Sequence, residues 1–426
     1  MRPIFLLLLV FAIGSHAQTD TVITVNLENA AVQRYLSEVQ YVDREDTSLV
    51  NDYNVPPPSR RDIPNAAVVP IPETDAGEVL LLCCDSADFD SGRVQTFTVE
   101  KGAKEKAIYN LVPQCTYYYK VVADGITLSR GEIHTEGQVR MIYVPGGCNI
   151  RDMGGWPTAD GKRVKYGKLF RGAELNGAHP TDSVVIEDMK EQLGIQAEID
   201  MRGWWETDAG VSVFGFTKSY TGSIDKPPYY WTSDSGQLPE QMSQFTYQYR
   251  WRREFSFIVN NLRYDRNVYF HCVWGGDRTG YLALFLEGLL GVDYDGLVKD
   301  YEMSSFYASG RVKSRIDPVI DTIMTFEGNT LQEKFNSFFL RLIKSSQEEI
   351  DYFREAMLDE AKGTGGNDDP GDDDDNPTTA IRSFKQEDVV TKPVIYDLRG
   401  RKTGIPARKG LVIEVGRDGR ARKIAL

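Results

Sequence analysis

Residues 267–280, NVYFHCVWGGDRTG, constrain the fold more than any other stretch of the chain. The apolar residues Val268, Tyr269 and Phe270 predict a buried strand. A glycine-containing loop follows, and from Thr279 onward apolar residues recur at helical spacing. Backbone N–H groups in such a loop can turn inward, and the start of a helix adds partial positive charge. The sequence therefore predicts a strand, an anion-binding loop and a helix in direct succession.

Two side chains at the ends of this loop, Cys272 and Arg278, have the chemistry that phosphoryl transfer needs. Inward N–H groups, the helix start and a nearby guanidinium favour the thiolate form of a cysteine, which is then a nucleophile. The planar guanidinium of Arg278 matches two phosphoryl oxygens, a geometry that lysine lacks. We therefore expect Cys272 and Arg278 to be catalytic.

The other residues of the loop are expected to bind the phosphate or to shape its site. Glycines let the backbone approach a ligand closely. Thr279 can donate its hydroxyl to the thiolate, and His271 can orient the loop through its ring nitrogens. The residues with this expected role are His271, Val273, Trp274, Gly275, Gly276, Thr279 and Gly280.

The sequence HCVWGGDRTG resembles the phosphate-binding loop of the protein tyrosine phosphatase superfamily, and specifically of a bacterial tyrosine phosphatase family with HCxxGKDRTG loops. Two further stretches are similar to motifs of that family. Residues 149–155 (NIRDMGG) with 168–172 (KLFRG) resemble its NFRDLGG…LfRs segment, and residues 198–202 (EIDMR) with Glu206 resemble its IDLR…E strand and turn.

This resemblance implies an α/β phosphatase domain with a central sheet flanked by helices. It also implies activity on phosphotyrosine, sometimes on phosphoserine, phosphothreonine or phosphoinositides, without a metal or another cofactor. The expected partner is a phosphorylated protein or a small phosphate ester. By match to the family's motifs, Arg151 and Asp200 are expected at the substrate site.

The chain departs from the family pattern at two loop positions. Gly276 stands where the family commonly has Lys, and Trp274 fills a position that is often small. Without the Lys, a cation that could meet extra phosphates is missing, so polyphosphorylated inositol lipids are less expected as substrates. Trp274 could line the mouth of the site and stack on a substrate ring, or pack on neighbouring apolar residues.

The proton donor for the leaving oxygen has several candidates. A carboxylic acid near the loop is the usual choice. Resemblance to the family favours Asp277 inside the loop, and Asp200 at a strand end is an alternative. Asp225 or Asp234, in the Pro- and Gly-containing stretch 221–239, could be carried in by a moving loop.

The first 17 residues predict a secretory signal peptide. Arg2 is followed by an apolar run over residues 4–13 and by Ser15-His16-Ala17, and that run is too short to span a bilayer. The rest of the chain has no comparable run, so stable membrane insertion is not expected. We expect the protein to be exported to the periplasm, the cell surface or the medium.

Residues 18–136 and 137–362 are expected to form two domains. The first has alternating strand patterns at residues 78–84, 93–100 and 116–122, with an Asp124-Gly125 hairpin turn. Residues 110–113, NLVP, leading into Tyr117, resemble the later strands of a fibronectin type III module, which implies a β-sandwich. The second carries the phosphatase motifs. Its predicted helices include residues 183–193, 241–262 and 331–358.

The C-terminal region divides into a linker and a tail. Residues 363–380 are rich in Gly, Pro and Asp without apolar periodicity, which predicts an acidic flexible linker. Residues 381–426 predict a small β-rich unit. Its segments VIYDLRGR and KGLVI are similar to the C-terminal sorting modules of proteins exported by the type IX secretion route.

Charge and cysteine content limit the remaining possibilities. The net charge of −13 argues against nucleic-acid binding. Five cysteines without a CxxC pair, and only four histidines, argue against a structural zinc site. In an oxidising compartment Cys115 could pair with Cys83 or Cys84.

The alternative function is a non-catalytic surface protein that uses the loop as an anion site and the β-sandwich for adhesion.

Overall fold

The structure, a computed structural model, describes residues 20–37, 60–177, 180–220, 226–232, 245–307 and 310–359, and four short strands between residues 394 and 425. The chain forms two compact units, Met1–Ile381 and Arg382–Leu426. The predicted signal peptide, the acidic linker and the candidate acids Asp225 and Asp234 lie outside the described residues.

The N-terminal part of the first unit is built mainly of strands. They are β1 (Asp20–Asn26), β2 (Ala67–Pro70), β3 (Val79–Cys84), β4 (Val94–Thr98), β5 (Glu105–Ile108), β6 (Thr116–Ala123) and β7 (Ile126–Glu136), with helix α1 (Ala30–Ser37) after β1. Five of them form one sheet in the order β1-β7-β6-β3-β4, and β2 pairs with β5. Strand β1 runs parallel to β7, while the other neighbours are antiparallel.

The strands predicted at residues 78–84, 93–100 and 116–122 are confirmed as β3, β4 and β6. Asp124 and Gly125, with φ of 46° and 81°, make the predicted hairpin turn between β6 and β7. Alternation along β6 buries Tyr117 and Tyr119 in the apolar core of this region. The three consecutive tyrosines at positions 117–119 are therefore explained by the alternation of buried and less buried side chains along this strand.

A second sheet carries the predicted anion-binding loop. The strands of this region are β8 (Arg151–Asp152), β9 (Arg163–Val164), β10 (Leu169–Gly172), β11 (Ile195–Asp200), β12 (Thr217–Lys218), β13 (Pro228–Trp231), β14 (Asn267–His271) and β15 (Leu358–Asp359). Six of them form the sheet β12-β13-β11-β14-β10-β8, in which only β8 is antiparallel to its neighbour. Strand β14 lies between β11 and β10 and is buried throughout. The loop therefore begins at the carboxyl end of an interior parallel strand, where α/β sheets commonly bind ligands.

Helices follow and flank these strands. They are α2 (Ser183–Leu193), α3 (Phe245–Arg263), α4 (Arg278–Leu290), α5 (Tyr294–Met303), α6 (Lys313–Met324), α7 (Leu331–Phe338) and α8 (Gln347–Met357). Helix α2 has the predicted bounds, because Asp182 caps its start and Gly194 ends it in the left-handed conformation. All residues of α4 are buried, which explains why its sequence is apolar on every side.

The single long helix predicted over residues 331–358 is wrong. The chain forms α7, a π-helical turn at Phe339–Ile343 and then α8. Lys344 adopts a left-handed φ of 64°, which ends the first segment. Ser346 and Glu349 then form a capping box that starts α8. This Ser-x-x-Glu signal is present in the sequence and marks the break.

Helix α1 belongs to the core that surrounds α4, although the sequence assigned it to the N-terminal domain. Val32 and Tyr35 are fully buried in that core. The Tyr35 hydroxyl donates to Glu302 Oε2 at 2.6 Å, and Lys299 Nζ donates to the backbone oxygen of Leu36 at 3.1 Å. Both partners lie on α5. The helix that follows the first strand of the N-terminal sheet is therefore part of the packing that supports the anion-binding loop.

The second unit contains β16 (Val394–Tyr396), β17 (Lys402–Thr403), β18 (Leu411–Val415) and β19 (Ala421–Ala425). They form an antiparallel sheet in the order β17-β16-β18-β19. Within the described parts of the chain, no helix is both long and apolar enough to cross a bilayer.

Replacing Tyr35 should destabilise the core around α4, although Tyr35 lies between two strands of the N-terminal region. We expect Tyr35→Ala to lower the free energy of unfolding by about 3–5 kcal/mol, because it opens a cavity in the core. Tyr35→Phe should cost roughly 1–2 kcal/mol, because Glu302 loses a buried hydrogen bond. Urea unfolding measures both. Val22→Ala, on an exposed face of β1, is the control. An unchanged midpoint in Tyr35→Ala would show that α1 does not stabilise this core.

Candidate active site

The predicted loop connects the end of β14 to the start of α4. Cys272 directly follows β14 and is 2% exposed. Asp277 precedes α4, and Arg278 is the first residue of that helix. The structure therefore brings the ends of the predicted loop to the junction of an interior strand and a buried helix.

The carbonyl groups of three successive loop residues are hydrogen-bonded to the surrounding scaffold. The pairs are Val273 O with the N–H of Glu174 (3.2 Å), Trp274 O with Asn149 Nδ2 (2.9 Å) and Gly275 O with Arg171 Nη2 (3.1 Å). In a trans peptide the N–H of the next residue points opposite to the carbonyl. The N–H groups of residues 274–276 therefore point away from the scaffold, toward the inside of the loop. Such a row of N–H groups forms an anion-binding nest.

Two glycines are required by this geometry. Gly275 has a φ of +67°, and a Cβ there would lie 2.5 Å from the carbonyl carbon of Gly172. A Cβ at Gly276 would lie 2.3 Å from Arg311 Nε. Any side chain at Gly275 would collide with backbone, whereas the space beside Gly276 is filled by another residue's guanidinium.

Arg278 is held by a bidentate ion pair. Its Nη1 and Nη2 donate to the two carboxylate oxygens of Glu206 at 2.6 and 2.7 Å, and Nη1 also donates to Met201 O at 2.9 Å. Glu206 itself accepts from the N–H of Gly203 at 2.6 Å. The sequence marked Glu206 only as part of a motif. The structure shows that it orients the guanidinium at the end of the loop.

Asp277 is paired with two arginines that the sequence analysis did not identify. Arg311 Nη2 lies 2.8 Å from one carboxylate oxygen, and Arg315 Nη1 lies 3.1 Å from the other. The Asp277 side chain is 28% exposed, so it remains accessible at the rim of the loop. These pairings join residues 34 and 38 positions apart, which local sequence patterns do not reveal.

A buried charged cluster lies behind the loop. Arg151 Nε donates to Asp300 Oδ1 at 2.8 Å, and Arg171 Nη1 donates to the other oxygen of Asp300. Arg151 Nη1 also donates to Asn149 Oδ1 at 2.8 Å. Arg151 donates to Asp300, Asn149 and Ser304, so its guanidinium is bonded within the cluster behind the loop. It acts on the loop through Asn149, which binds Trp274 O.

The charges of this cluster favour a net positive field behind Cys272. Burial and the neighbouring Asp300 raise the pKa of Glu287 well above its ordinary value. Burial opposes ionisation of Asp300, but Arg151 and Arg171 lower its pKa below the ordinary value. Burial and Arg151 lower the pKa of Arg171 only to about 10, so it is charged at neutral pH. Asp300 is therefore paired with two guanidinium groups, and Arg171 interacts electrostatically with Cys272.

Asn149 is itself positioned by residues that lie just before β2 in the N-terminal region. It has a left-handed φ of 51° and is 1% exposed. Its N–H donates to Asp62 Oδ2 at 2.9 Å, and Arg60 Nε donates to Asp62 Oδ1 at 2.8 Å. Asp62 is 3% exposed. A chain of buried hydrogen bonds thus runs from Asp62 through Asn149 to the carbonyl of Trp274.

Asp200 is fully buried and paired with Arg202. Nε and Nη2 of Arg202 donate to its two oxygens at 2.9 Å each, and the Tyr229 hydroxyl donates at 2.8 Å. Burial alone would raise the pKa of Asp200, but His271 and Arg202 lower it below its ordinary value. Arg202 also donates to Glu174 at 2.9 Å. Asp200 therefore supports the loop through Arg202 and Glu174, and it is not placed as a proton donor at the mouth.

The remaining predicted loop residues lie as follows. His271 is fully buried, and its Nε2 lies 3.0 Å from Glu198 Oε1, which fixes the ring at the end of β14. Thr279 Oγ1 is buried and makes no hydrogen bond to other described residues, so a bond to Cys272 is not observed. Gly280 lies against the ring of Tyr301. Trp274 is half-buried and packs with Cys148, Ala173 and Tyr307.

All five cysteines are free thiols in this structure. The pairing of Cys115 with Cys83 or Cys84 is therefore not present. Burial raises the pKa of Cys83 and of Cys148 to about 12, and that of Cys115 to about 11. These thiols are protonated and weakly reactive. The described residues contain no group of three or more His, Cys, Asp or Glu side chains that could hold a metal ion.

Comparison with known proteins agrees with this geometry. The model of the tyrosine phosphatase family matches residues 142–364, just over half of the chain. A protein of Cupriavidus necator whose name assigns it to the tyrosine-protein phosphatases is 28% identical over 169 residues. The match covers 36% of this chain and 59% of that relative, so the chain spans less than two thirds of the relative's length. The matched region contains β14, the loop and α4. The chain belongs to the tyrosine phosphatase family.

Proposed function

We propose that the protein is an exported cysteine-dependent phosphatase that hydrolyses phosphate monoesters, with phosphotyrosine as the main substrate. One observation carries this proposal: three loop carbonyls are bonded outward, so the N–H groups of residues 274–276 face the inside of the loop, as an anion-binding nest requires. Family membership and the name of the Cupriavidus relative support phosphotyrosine as the substrate class.

The first step forms a phosphocysteine. The Cys272 sulfur attacks phosphorus in line with the leaving oxygen, and the bond from phosphorus to that oxygen breaks. The loop N–H groups and Arg278 bind the equatorial oxygens as charge redistributes. The guanidinium of Arg171 behind the loop offsets the negative charge of a thiolate. Glu206 keeps the Arg278 fork in one orientation.

The leaving oxygen takes a proton from an acid, which we assign to Asp277. Asp277 lies in the loop and is 28% exposed, whereas Asp200 is fully buried. In the second step water attacks phosphorus, Asp277 accepts the water's proton, and the phosphorus–sulfur bond breaks. Phosphate and the free thiolate are the products, and the sequence of steps needs no metal.

An exposed aromatic pair supports an aromatic leaving group. Trp204 is 75% exposed and Trp205 is 54% exposed, and their rings meet edge to face with centroids 5.8 Å apart. They lie directly before Glu206, which binds Arg278. An exposed pair of this size can stack on the ring of phosphotyrosine, while phosphoserine has no ring to offer.

We further propose that export uses the predicted N-terminal signal peptide. The free thiols outside the loop are buried and have raised pKa values, which protects them in an oxidising compartment. The N-terminal sheets fit a role as a fibronectin-like spacer or binding module. The four-stranded C-terminal unit fits a sorting module for type IX secretion.

Replacing the nucleophile should separate catalysis from anion binding. We expect Cys272→Ser to lower kcat for para-nitrophenyl phosphate by about 10⁴-fold or more. Tungstate should still bind, because the N–H groups and Arg278 remain. Stopped assays measure kcat for para-nitrophenyl phosphate, and calorimetry measures tungstate binding. Cys84→Ser, in the N-terminal sheet, is the matched control. Turnover by Cys272→Ser comparable to that of the wild type would refute the mechanism. Tungstate binding with no turnover by the wild type would favour the non-catalytic alternative.

The role of Asp277 can be tested through the leaving group. Acid catalysis matters most for a poor leaving group. We expect Asp277→Asn to lower kcat about 10²-fold or more for phenyl phosphate, but less than tenfold for 2,4-dinitrophenyl phosphate. The ratio of the two rates is the measurement, since it does not depend on general damage to the loop. Asp317→Asn on α6 is the control. An equal loss for both substrates would exclude Asp277 as the acid.

The aromatic pair should determine selectivity. We expect Trp204→Ala/Trp205→Ala to lower kcat/KM for a phosphotyrosine peptide roughly 3- to 10-fold, as lost stacking implies. Hydrolysis of the matching phosphoserine peptide should change less. The measured quantity is the ratio of the two kcat/KM values. Tyr264→Ala removes an exposed aromatic on the turn after α3 and serves as the control. A ratio equal to that of the wild type would contradict ring stacking by this pair.

A further inference from the structure

Arg311 occupies the space that a side chain at Gly276 would need. A Cβ built on Gly276 would lie 2.3 Å from Arg311 Nε, 3.0 Å from Cζ and 3.1 Å from Cδ. No larger residue fits at position 276 while Arg311 keeps this place. Position 276, where the resembling family commonly has Lys, therefore carries no side chain in this protein. The guanidinium of Arg311 lies beside it instead.

Arg311 is held in place by the fold. Its backbone N–H donates to Ser305 Oγ at 3.0 Å, and that hydroxyl donates to the backbone oxygen of Arg311 at 2.8 Å. Ser305 is fully buried. The Arg311 side chain is only 14% exposed, whereas that of Arg315 is 46% exposed. The hydrogen bonds to Ser305 therefore fix the backbone of Arg311, and its side chain is mostly buried.

The guanidinium already binds a carboxylate in the free protein. Arg311 Nη2 lies 2.8 Å from Asp277 Oδ2, and Arg315 Nη1 lies 3.1 Å from Asp277 Oδ1. Because Asp277 has this second partner, Arg311 can bind a ligand without leaving Asp277 unpaired. A guanidinium also has five donors, so one group can serve two anions. The arrangement is suited to a carboxylate that enters beside the phosphate.

We propose that Arg311 replaces the missing loop cation and binds an acidic residue next to phosphotyrosine in a peptide substrate. This inference rests on the proposed phosphatase function and adds a specificity residue to the same site. It also changes one expectation from the sequence, because Gly276 does not leave the loop without a nearby cation. We favour a peptide over an anionic lipid surface, since family membership and the name of the Cupriavidus relative support phosphotyrosine as the substrate class.

The test compares two phosphotyrosine peptides that differ only in having Glu or Gln on both sides of the phosphotyrosine. For the wild type we expect kcat/KM to be about fivefold higher for the Glu peptide, as a charge-assisted contact implies. Arg311→Ala should bring this ratio close to one. Arg315→Ala should keep most of the preference. Arg341→Ala, an exposed arginine on the turn between α7 and α8, is the matched control.

A rescue variant tests the position of the charge. Gly276→Lys alone should impair hydrolysis, because the new side chain collides with Arg311. Gly276→Lys/Arg311→Ala should regain a preference for the Glu peptide, since a cation returns to the same place. If Arg311 acted only by holding Asp277, the double variant would show no preference. That result would overturn the proposal.

Three further outcomes are distinguishable. A wild type that hydrolyses both peptides equally contradicts the role of Arg311 but not the phosphatase activity. A wild type that hydrolyses neither peptide refutes the proposed function, and fluorescence anisotropy of the same peptides then tests the role of Arg311. Tighter binding of the Glu peptide that is lost in Arg311→Ala supports this role. Equal binding of the two peptides overturns it. Loss of hydrolysis in Arg311→Ala confined to phosphoinositide vesicles would overturn the peptide assignment in favour of a lipid.

Discussion

The outward bonding of three loop carbonyls is the interaction on which the proposed chemistry depends. A seven-residue loop does not turn its N–H groups inward by itself, because each peptide can rotate to expose its carbonyl instead. Asn149, Arg171 and Glu174 remove that freedom by binding the carbonyls of residues 273–275. Each donor is in turn held by a buried charge network. Arg171 binds Asp300, and the carboxylate of Glu174 binds Arg202. The loop is therefore preorganised by its scaffold before any anion arrives.

This scaffold explains why so many charges are buried in the domain. Arg151, Arg171, Arg202, Asp200 and Asp300 are all at most 1% exposed. Buried charges are costly unless they are paired and hydrogen-bonded, and removing one partner leaves the other uncompensated. Here each charge has a geometric task, because it fixes a donor that reaches the loop. Burial and the neighbouring Asp300 raise the pKa of Glu287, which weakens its negative charge in the cluster behind the sulfur. The free-energy cost of burying these charges is accompanied by a fixed arrangement of charges around the Cys272 sulfur.

The sequence predicted the local part of this site and missed its long-range part. Strand β14, the loop and α4 follow one another in the chain, so their residue types and spacing were sufficient to predict them. The partner of Arg278 is 72 residues away, and the partner of Arg151 is 149 residues away. Nothing in a single sequence fixes such pairs. For the same reason the sequence placed Arg151 at the substrate site by motif alone and did not identify Asp300 as its partner. The break before α8 was different, because the Ser346 to Glu349 capping signal was present and was overlooked.

The hydrogen bond from Asn149 to Asp62 gives the N-terminal region a mechanical connection to the catalytic loop. Asn149 holds a left-handed backbone conformation, and its amide fixes the carbonyl of Trp274. Two hydrogen bonds through Asn149 therefore link Asp62 to a peptide of the anion nest. The geometry of the anion nest therefore depends on a residue that lies outside the region matched by the family model.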